Sequence, residues 1–272
     1  MTKLPYKRLI SYGCSFTAGS ELTDHEFLGF TEDELFKYVK KHKITGTYEL
    51  FDSLNVTPQV HREVLAKNST KSWPNYIGKH FDLPVINRAI PGSSLSEATY
   101  NILKDSHDGR ITDDDLVIVG VTSPARWFQF TDDGGYFGGV FGWMPESEYY
   151  NHLLHGWANP YNVVYSHYKE IAFLSNLSDR LNQQIKLCYT FGGPDYIKYS
   201  YEEELKESKF SEFFDFSSSI FPKHNFIDEV SLCELAMIIK PETHHVFGHP
   251  RIRFHEQFAN ILIEKMETMY ND

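Results

Sequence analysis

The stretch from Asp115 to Val121 constrains the fold most, because it reads DLVIVGV and is almost uninterrupted in apolar residues. Such a run predicts a β-strand that is buried on both faces, as in a parallel sheet with helices on each side. Four other segments have strand character: residues 8–12, 83–89, 184–191 and 225–228. Helical patterns cover three more segments: residues 72–81, 161–182 and 255–269. Strands that alternate with helices favour a parallel sheet with covered faces.

We therefore expect a three-layer α/β/α domain with a parallel sheet of about five strands, formed by residues 1–272 as a single domain. Three long insertions follow strands, at about residues 20–71, 126–165 and 195–223. Within the first, Thr31 to Glu34 has the pattern of a capping box that opens a helix. Ligands bind beyond the carboxyl ends of parallel strands, so these insertions are expected to form the rim of a binding site.

Charge and composition exclude several classes of partner. The net charge is −11 and no basic cluster is present, which argues against a nucleic-acid partner and against an anionic membrane surface. No apolar run approaches a membrane span and the amino terminus lacks a signal-peptide pattern, so we expect a cytoplasmic protein. Its three cysteines are expected to be reduced thiols. A small neutral or sugar-like substrate fits this charge, and oligomer formation stays open.

The segment from Gly13 to Gly19, GCSFTAG, follows the first predicted strand directly. A serine in a tight turn between a strand and a helix exposes its hydroxyl at the sheet edge, where a base can reach it. Ser15 is therefore a candidate nucleophile. The alternative is that a serine here only caps an ordinary helix.

Four segments resemble, in order, the conserved blocks of SGNH (GDSL-type) hydrolases. They are GCSFT from Gly13, NRAIPG ending at Gly92, GVTS from Gly120, and GHPRIRFH from Gly248. The resemblance implies a flavodoxin-like fold and a serine ester hydrolase that works through an acyl-serine intermediate. It assigns Ser15 as nucleophile, His249 as base, and the Ser15 and Gly92 N–H groups with Thr122 as oxyanion donors. No metal or organic cofactor is implied.

The sequence departs from the family pattern in the supporting residues. Cys14 and Thr122 replace the usual Asp and Asn, and Val246 stands where an Asp normally orients the histidine. Glu242, Asp228 or a neighbouring histidine are candidates to replace that acid, and a Ser–His dyad is also viable. The run from Val121 to Arg126 resembles a variant block in SGNH-like proteins of phages.

Two further features lie near these blocks. His244, His245, His249 and Glu242 crowd together, but their spacing matches no metal-binding motif, so we expect no metal there. The segment after the third block is rich in aromatic residues and glycines, and Arg126, Trp127 and Trp143 are candidate substrate contacts. Packing within the insertion or in an oligomer interface is the alternative for the aromatic side chains.

The resemblance favours an esterase, with removal of O-acetyl groups from a carbohydrate as the first expectation for its substrate. One alternative is a catalytically degenerate binding or structural module, which would be virion-associated if the chain is phage-encoded. An acyltransferase that uses the same serine and histidine is a further alternative.

Overall fold

A computed structural model describes most of the chain. The described ranges are residues 3–124, 126–130, 136–140, 160–180, 184–191, 226–228, 230–237 and 248–271.

The central sheet consists of four parallel strands: β1 (Arg8–Tyr12), β2 (Val85–Asn87), β3 (Asp115–Val121) and β6 (Gln184–Tyr189). Their order across the sheet is β2-β1-β3-β6. All four were predicted, although β2 is shorter than the predicted segment 83–89. About five strands were expected. In the fifth predicted segment, 225–228, the described residues form a single parallel bridge, between Phe226 and Leu187 of β6.

Strand β3 is buried along its whole length, as its apolar sequence predicts. Its side chains alternate between two hydrophobic clusters, because successive residues of a strand point to opposite faces. Leu116 and Ile118 join one cluster, whereas Val117, Val119 and Val121 join the other. The sheet therefore has a core on each face.

Helices supply the outer layers. They are α1 (Ser15–Ala18), α2 (Asp24–Phe27), α3 (Glu32–His42), α4 (Thr47–Ser53), α5 (Pro58–Thr70), α6 (Trp73–Phe81), α7 (Leu95–His107), α8 (Pro160–Arg180), α9 (Leu232–Met237) and α10 (Ile252–Asn271). Trp73 of α6 and Phe258 of α10 meet edge to face, with ring centroids 5.6 Å apart, in the core on one side of the sheet. Ile102 of α7 and Ile171 of α8 belong to the core on the other side. The predicted three-layer α/β/α architecture is confirmed.

The first insertion, residues 20–71, is helical and contains α2 to α5. The predicted capping box opens α3: the Thr31 hydroxyl accepts from the Glu34 N–H, and the Thr31 N–H donates to the Glu34 carboxylate. Leu35, Val39 and Leu50 form a small core within this insertion. The second insertion begins with an antiparallel hairpin of β4 (Arg126–Phe130) and β5 (Tyr136–Val140). The third, at about 195–223, lies outside the described residues.

Within the described ranges, every helix is too short or too polar to cross a membrane. Cys14, Cys188 and Cys233 form no disulfide.

Candidate active site

The turn after β1 presents Ser15 at the carboxyl edge of the sheet. Gly13 makes this turn possible, because its φ is +147° and a Cβ there would lie 2.4 Å from Thr17 Oγ1. Ser15 is the first residue of α1, which ends at Gly19 in the left-handed conformation. The first N–H groups of a helix have no acceptor within it, so the Ser15 N–H is available to an oxyanion.

The loop that carries Gly92 is tied to the same turn. The Ile90 N–H and the Ser93 hydroxyl both donate to the Gly13 carbonyl, at 3.0 and 2.8 Å. Gly92 itself has a φ of +88°, a conformation that favours glycine. Arg126 Nη1 donates to the Ser93 carbonyl at 3.3 Å, so this predicted cleft residue contacts the Gly92 loop.

His249 is bound by a carboxylate that the sequence analysis did not identify. Its Nδ1 lies 2.5 Å from Glu21 Oε2, and its backbone N–H donates to the same oxygen at 3.3 Å. The imidazole also packs against Phe16, the neighbour of Ser15, with ring centroids 5.3 Å apart. Since Glu21 occupies Nδ1, Nε2 is the nitrogen left for proton exchange.

Within the described residues, both hydrogen bonds of His249 run to Glu21 and neither reaches the Ser15 hydroxyl. Catalytic hydrogen bonds are often long without substrate and shorten in the reacting complex, so this geometry is compatible with a nucleophile and its base. The placement of Phe16 brings the two residues to one site.

Glu21 has a backbone conformation that is unusual for its residue type. Its φ is +67°, in the left-handed region, and the residue is buried. Such a conformation costs about 1–3 kcal/mol and persists only when the surroundings enforce it. The cost indicates that the segment after α1 is held in place to present this carboxylate to His249.

Thr23 and Asp24, which follow Glu21 in the chain, form a buried polar network with Asn68 of α5. The Thr23 N–H and hydroxyl both donate to Asn68 Oδ1 at 2.7 Å, and Asn68 Nδ2 donates to Asp24 Oδ1 at 2.6 Å. The pKa of Asp24 is raised to about 6, chiefly because the carboxyl group is buried. The Glu21 charge also raises this pKa, whereas the Asn68 hydrogen bond and His249 lower it. Asp24 therefore interacts electrostatically with both members of the Glu21–His249 pair.

Thr122 follows β3 directly and is buried, and its hydroxyl has no hydrogen-bond partner within the described ranges. An unpartnered buried hydroxyl is unusual and is available to donate. Trp127 lies in β4, where only its backbone is described, and Trp143 lies outside the described residues.

The acid that faces His249 differs from the candidates taken from the sequence. Asp228 instead accepts from the Val230 N–H at 2.8 Å and lies 3.6 Å from Lys265 Nζ. Glu242, Val246 and the two histidines at 244 and 245 lie outside the described residues. The sequence signal for Glu21 was weak: an acidic residue six positions after Ser15, in a segment that begins at the sheet's carboxyl edge.

No group of three or more His, Cys, Asp or Glu side chains within the described ranges is arranged to hold a metal ion.

Comparison with solved structures identifies the architecture. A carbohydrate esterase superposes with a TM-score of 0.50 at 12% identity, over 99% of this chain and 68% of the other. The chain has the SGNH (GDSL-type) hydrolase fold. The psychrotrophic esterase EstA from Pseudoalteromonas sp. also matches, with a TM-score of 0.43 and 12% identity over 98% of this chain and 100% of the other. TesA matches with a TM-score of 0.48 and 10% identity over 96% of this chain and 99% of the other. Comparison of the sequence with family profiles and with curated proteins gives no match.

Proposed function

We propose that this SGNH-fold protein is a serine ester hydrolase that acts through an acyl-serine intermediate. The observation that carries the proposal is the contact between the Glu21 carboxylate and His249 Nδ1. A carboxylate on Nδ1 orients the imidazole, sets the tautomer that leaves Nε2 able to accept a proton, and stabilises the imidazolium that follows. The acid lost at Val246 thus has a substitute on the loop after the nucleophile.

In the proposed reaction, the Ser15 hydroxyl attacks the ester carbonyl and its proton passes to His249 Nε2. The oxyanion accepts hydrogen bonds from the Ser15 and Gly92 N–H groups and from the Thr122 hydroxyl. His249 then protonates the leaving alcohol as the tetrahedral intermediate collapses to acyl-serine. Water, deprotonated by the same imidazole, hydrolyses the acyl-enzyme and restores Ser15. The Glu21 carboxylate stabilises the imidazolium in both half-reactions.

For the substrate we propose an O-acetylated carbohydrate. The net charge of −11 disfavours anionic esters, and the sequence of the second insertion contains Trp127 and Trp143, residues of a type that stacks on sugar rings. The carbohydrate esterase that shares the fold is compatible with this choice.

A fluorophosphonate probe tests the nucleophile without knowledge of the substrate. Intact-mass measurement of wild type and Ser15→Ala should show one probe per chain in wild type and none in the variant. Release of acetate from a panel of acetylated sugars then tests the substrate. A folded wild-type protein that takes up no probe would refute the hydrolase and favour a binding module that keeps the fold.

A further inference from the structure

A second buried carboxylate, Asp24, is the first residue of α2 and lies three positions after Glu21 in the chain. Asp24 and Asn68 are each 2% exposed, and Asn68 Nδ2 donates to Asp24 Oδ1 at 2.6 Å. A buried carboxylate without a cation in direct contact is costly, because desolvation penalises its charged form. The cost of burying Asp24 therefore indicates that another interaction of this carboxylate offsets it.

The backbone N–H of Thr23 fixes which groups donate and which accept in the network of Thr23, Asn68 and Asp24. A backbone N–H only donates, so the Asn68 atom that faces the Thr23 N–H is the carbonyl oxygen Oδ1. The Asn68 amino group then faces Asp24, whose Oδ1 must accept. Asn68 therefore presents a donor to Asp24, as an ionised carboxylate requires.

Among the described residues outside its own helix, Glu21 on the preceding loop raises the pKa of Asp24 and His249 on the loop before α10 lowers it. From α5 the facing side chain is the neutral Asn68, since Lys67 is paired with Glu26 at the surface, with Nζ and Oε2 3.3 Å apart. Asp24, Glu21 and His249 thus form one cluster of three titratable groups at the candidate active site.

We propose that Asp24 is a positioning residue that, together with Glu21, stabilises the protonated imidazole of His249, while Asn68 fixes the segment that carries both acids. The inference rests on the proposed function for its catalytic meaning. Glu21 binds Nδ1 directly, whereas Asp24 acts through space and through the hydrogen bonds of Asn68 with Thr23. When His249 takes the Ser15 proton, its positive charge then faces two carboxylates rather than one.

Carbon-13 NMR of the Asp24 carboxyl provides a test that does not depend on catalysis. The signal is assigned by its loss in Asp24→Asn and followed against pH in wild type, Glu21→Gln, His249→Gln and the surface control Glu26→Gln. Coupling between titrating sites is reciprocal, so the effect of His249 on Asp24 measures the effect of Asp24 on His249. We expect a pKa of Asp24 that is higher in His249→Gln, lower in Glu21→Gln and unchanged in Glu26→Gln.

The pH dependence of probe labelling tests the role in the reaction. Asp24→Asn keeps the acceptor for Asn68 but removes the charge, so the acid limb of the labelling rate should move to lower pH by about 0.5–1 unit. A purely structural contribution would lower the rate equally at every pH. Asp24→Ala, which also removes the acceptor, should lower the rate further.

An Asp24 titration that is the same in wild type and in His249→Gln would overturn the inference, whatever the reactivity of Ser15. If a variant fails to fold, the wild-type signal decides: a titration curve with a second step, or one broader than a single site gives, supports the coupling, and an ideal single-site curve overturns it. Failure of wild-type labelling would refute the proposed hydrolase and leave the NMR result valid, so the two failures are distinguishable.

Discussion

Exchange of Glu21 for Gln removes the charge behind His249 while preserving the size of the side chain. The two side chains are only 4% and 19% exposed, so their interaction is weakly screened by solvent. Unit charges about 4 Å apart at an effective dielectric constant of about 20 attract by roughly 4 kcal/mol. Because about 1.4 kcal/mol corresponds to a factor of ten in rate, we expect labelling of Ser15 to slow by roughly 10³-fold.

The assay is the second-order rate constant for fluorophosphonate labelling at neutral pH, measured for wild type, Glu21→Gln and Glu26→Gln. Glu26 lies on α2, where it pairs with Lys67 at the surface, and its exchange should leave the rate unchanged. Thermal unfolding of each variant shows whether any loss of rate is due to loss of fold. If Glu21→Gln reacts as fast as the Glu26 control, the carboxylate on Nδ1 has no catalytic role and the proposed triad is wrong.

Two further predictions concern stability. Gly120→Ala should cost about 1–3 kcal/mol of unfolding free energy, because the added Cβ would lie 2.1 Å from Thr17 Oγ1 in a packed core. Gly46→Ala, where no atom lies within 4 Å of the added Cβ, should cost less than about 1 kcal/mol in the same urea titration. Asp24→Asn should stabilise the protein at alkaline pH by about 2–3 kcal/mol. The pKa of Asp24 is about 6 in the folded protein and about 3.9 in the unfolded chain, so keeping this carboxylate ionised above pH 6 destabilises the folded state. That gain should vanish below about pH 4, where Asp24 is protonated in both states, and an equal gain at both pH values would contradict the assigned burial penalty.

Local sequence patterns were sufficient to predict the sheet. The bounds of β1 and β3 agree with the predicted segments, because a buried parallel strand is a short apolar run whose ends are marked by polar or glycine residues. The capping box at Thr31 was predicted for the same reason, since both of its members lie within four residues.

Local sequence patterns could not predict the acid that contacts His249. Glu21 and His249 are 228 positions apart, and no periodicity or spacing relates them. The family pattern directs attention to the residue three positions before the histidine, whereas the structure supplies the carboxylate from a segment 228 positions earlier. Asp24 was missed for the same reason, because its role depends on Asn68 of a different helix.

The distance in sequence between Glu21 and His249 has a consequence for synthesis. The serine and its acid leave the ribosome close together, but the histidine follows more than two hundred residues later. Under the proposed function, Ser15 would therefore stay unactivated until the segment that carries His249 has been synthesised and has packed against Glu21. The Glu21–His249 contact, which would create the activity, joins two segments 228 positions apart, so hydrolysis would report that these segments have come together.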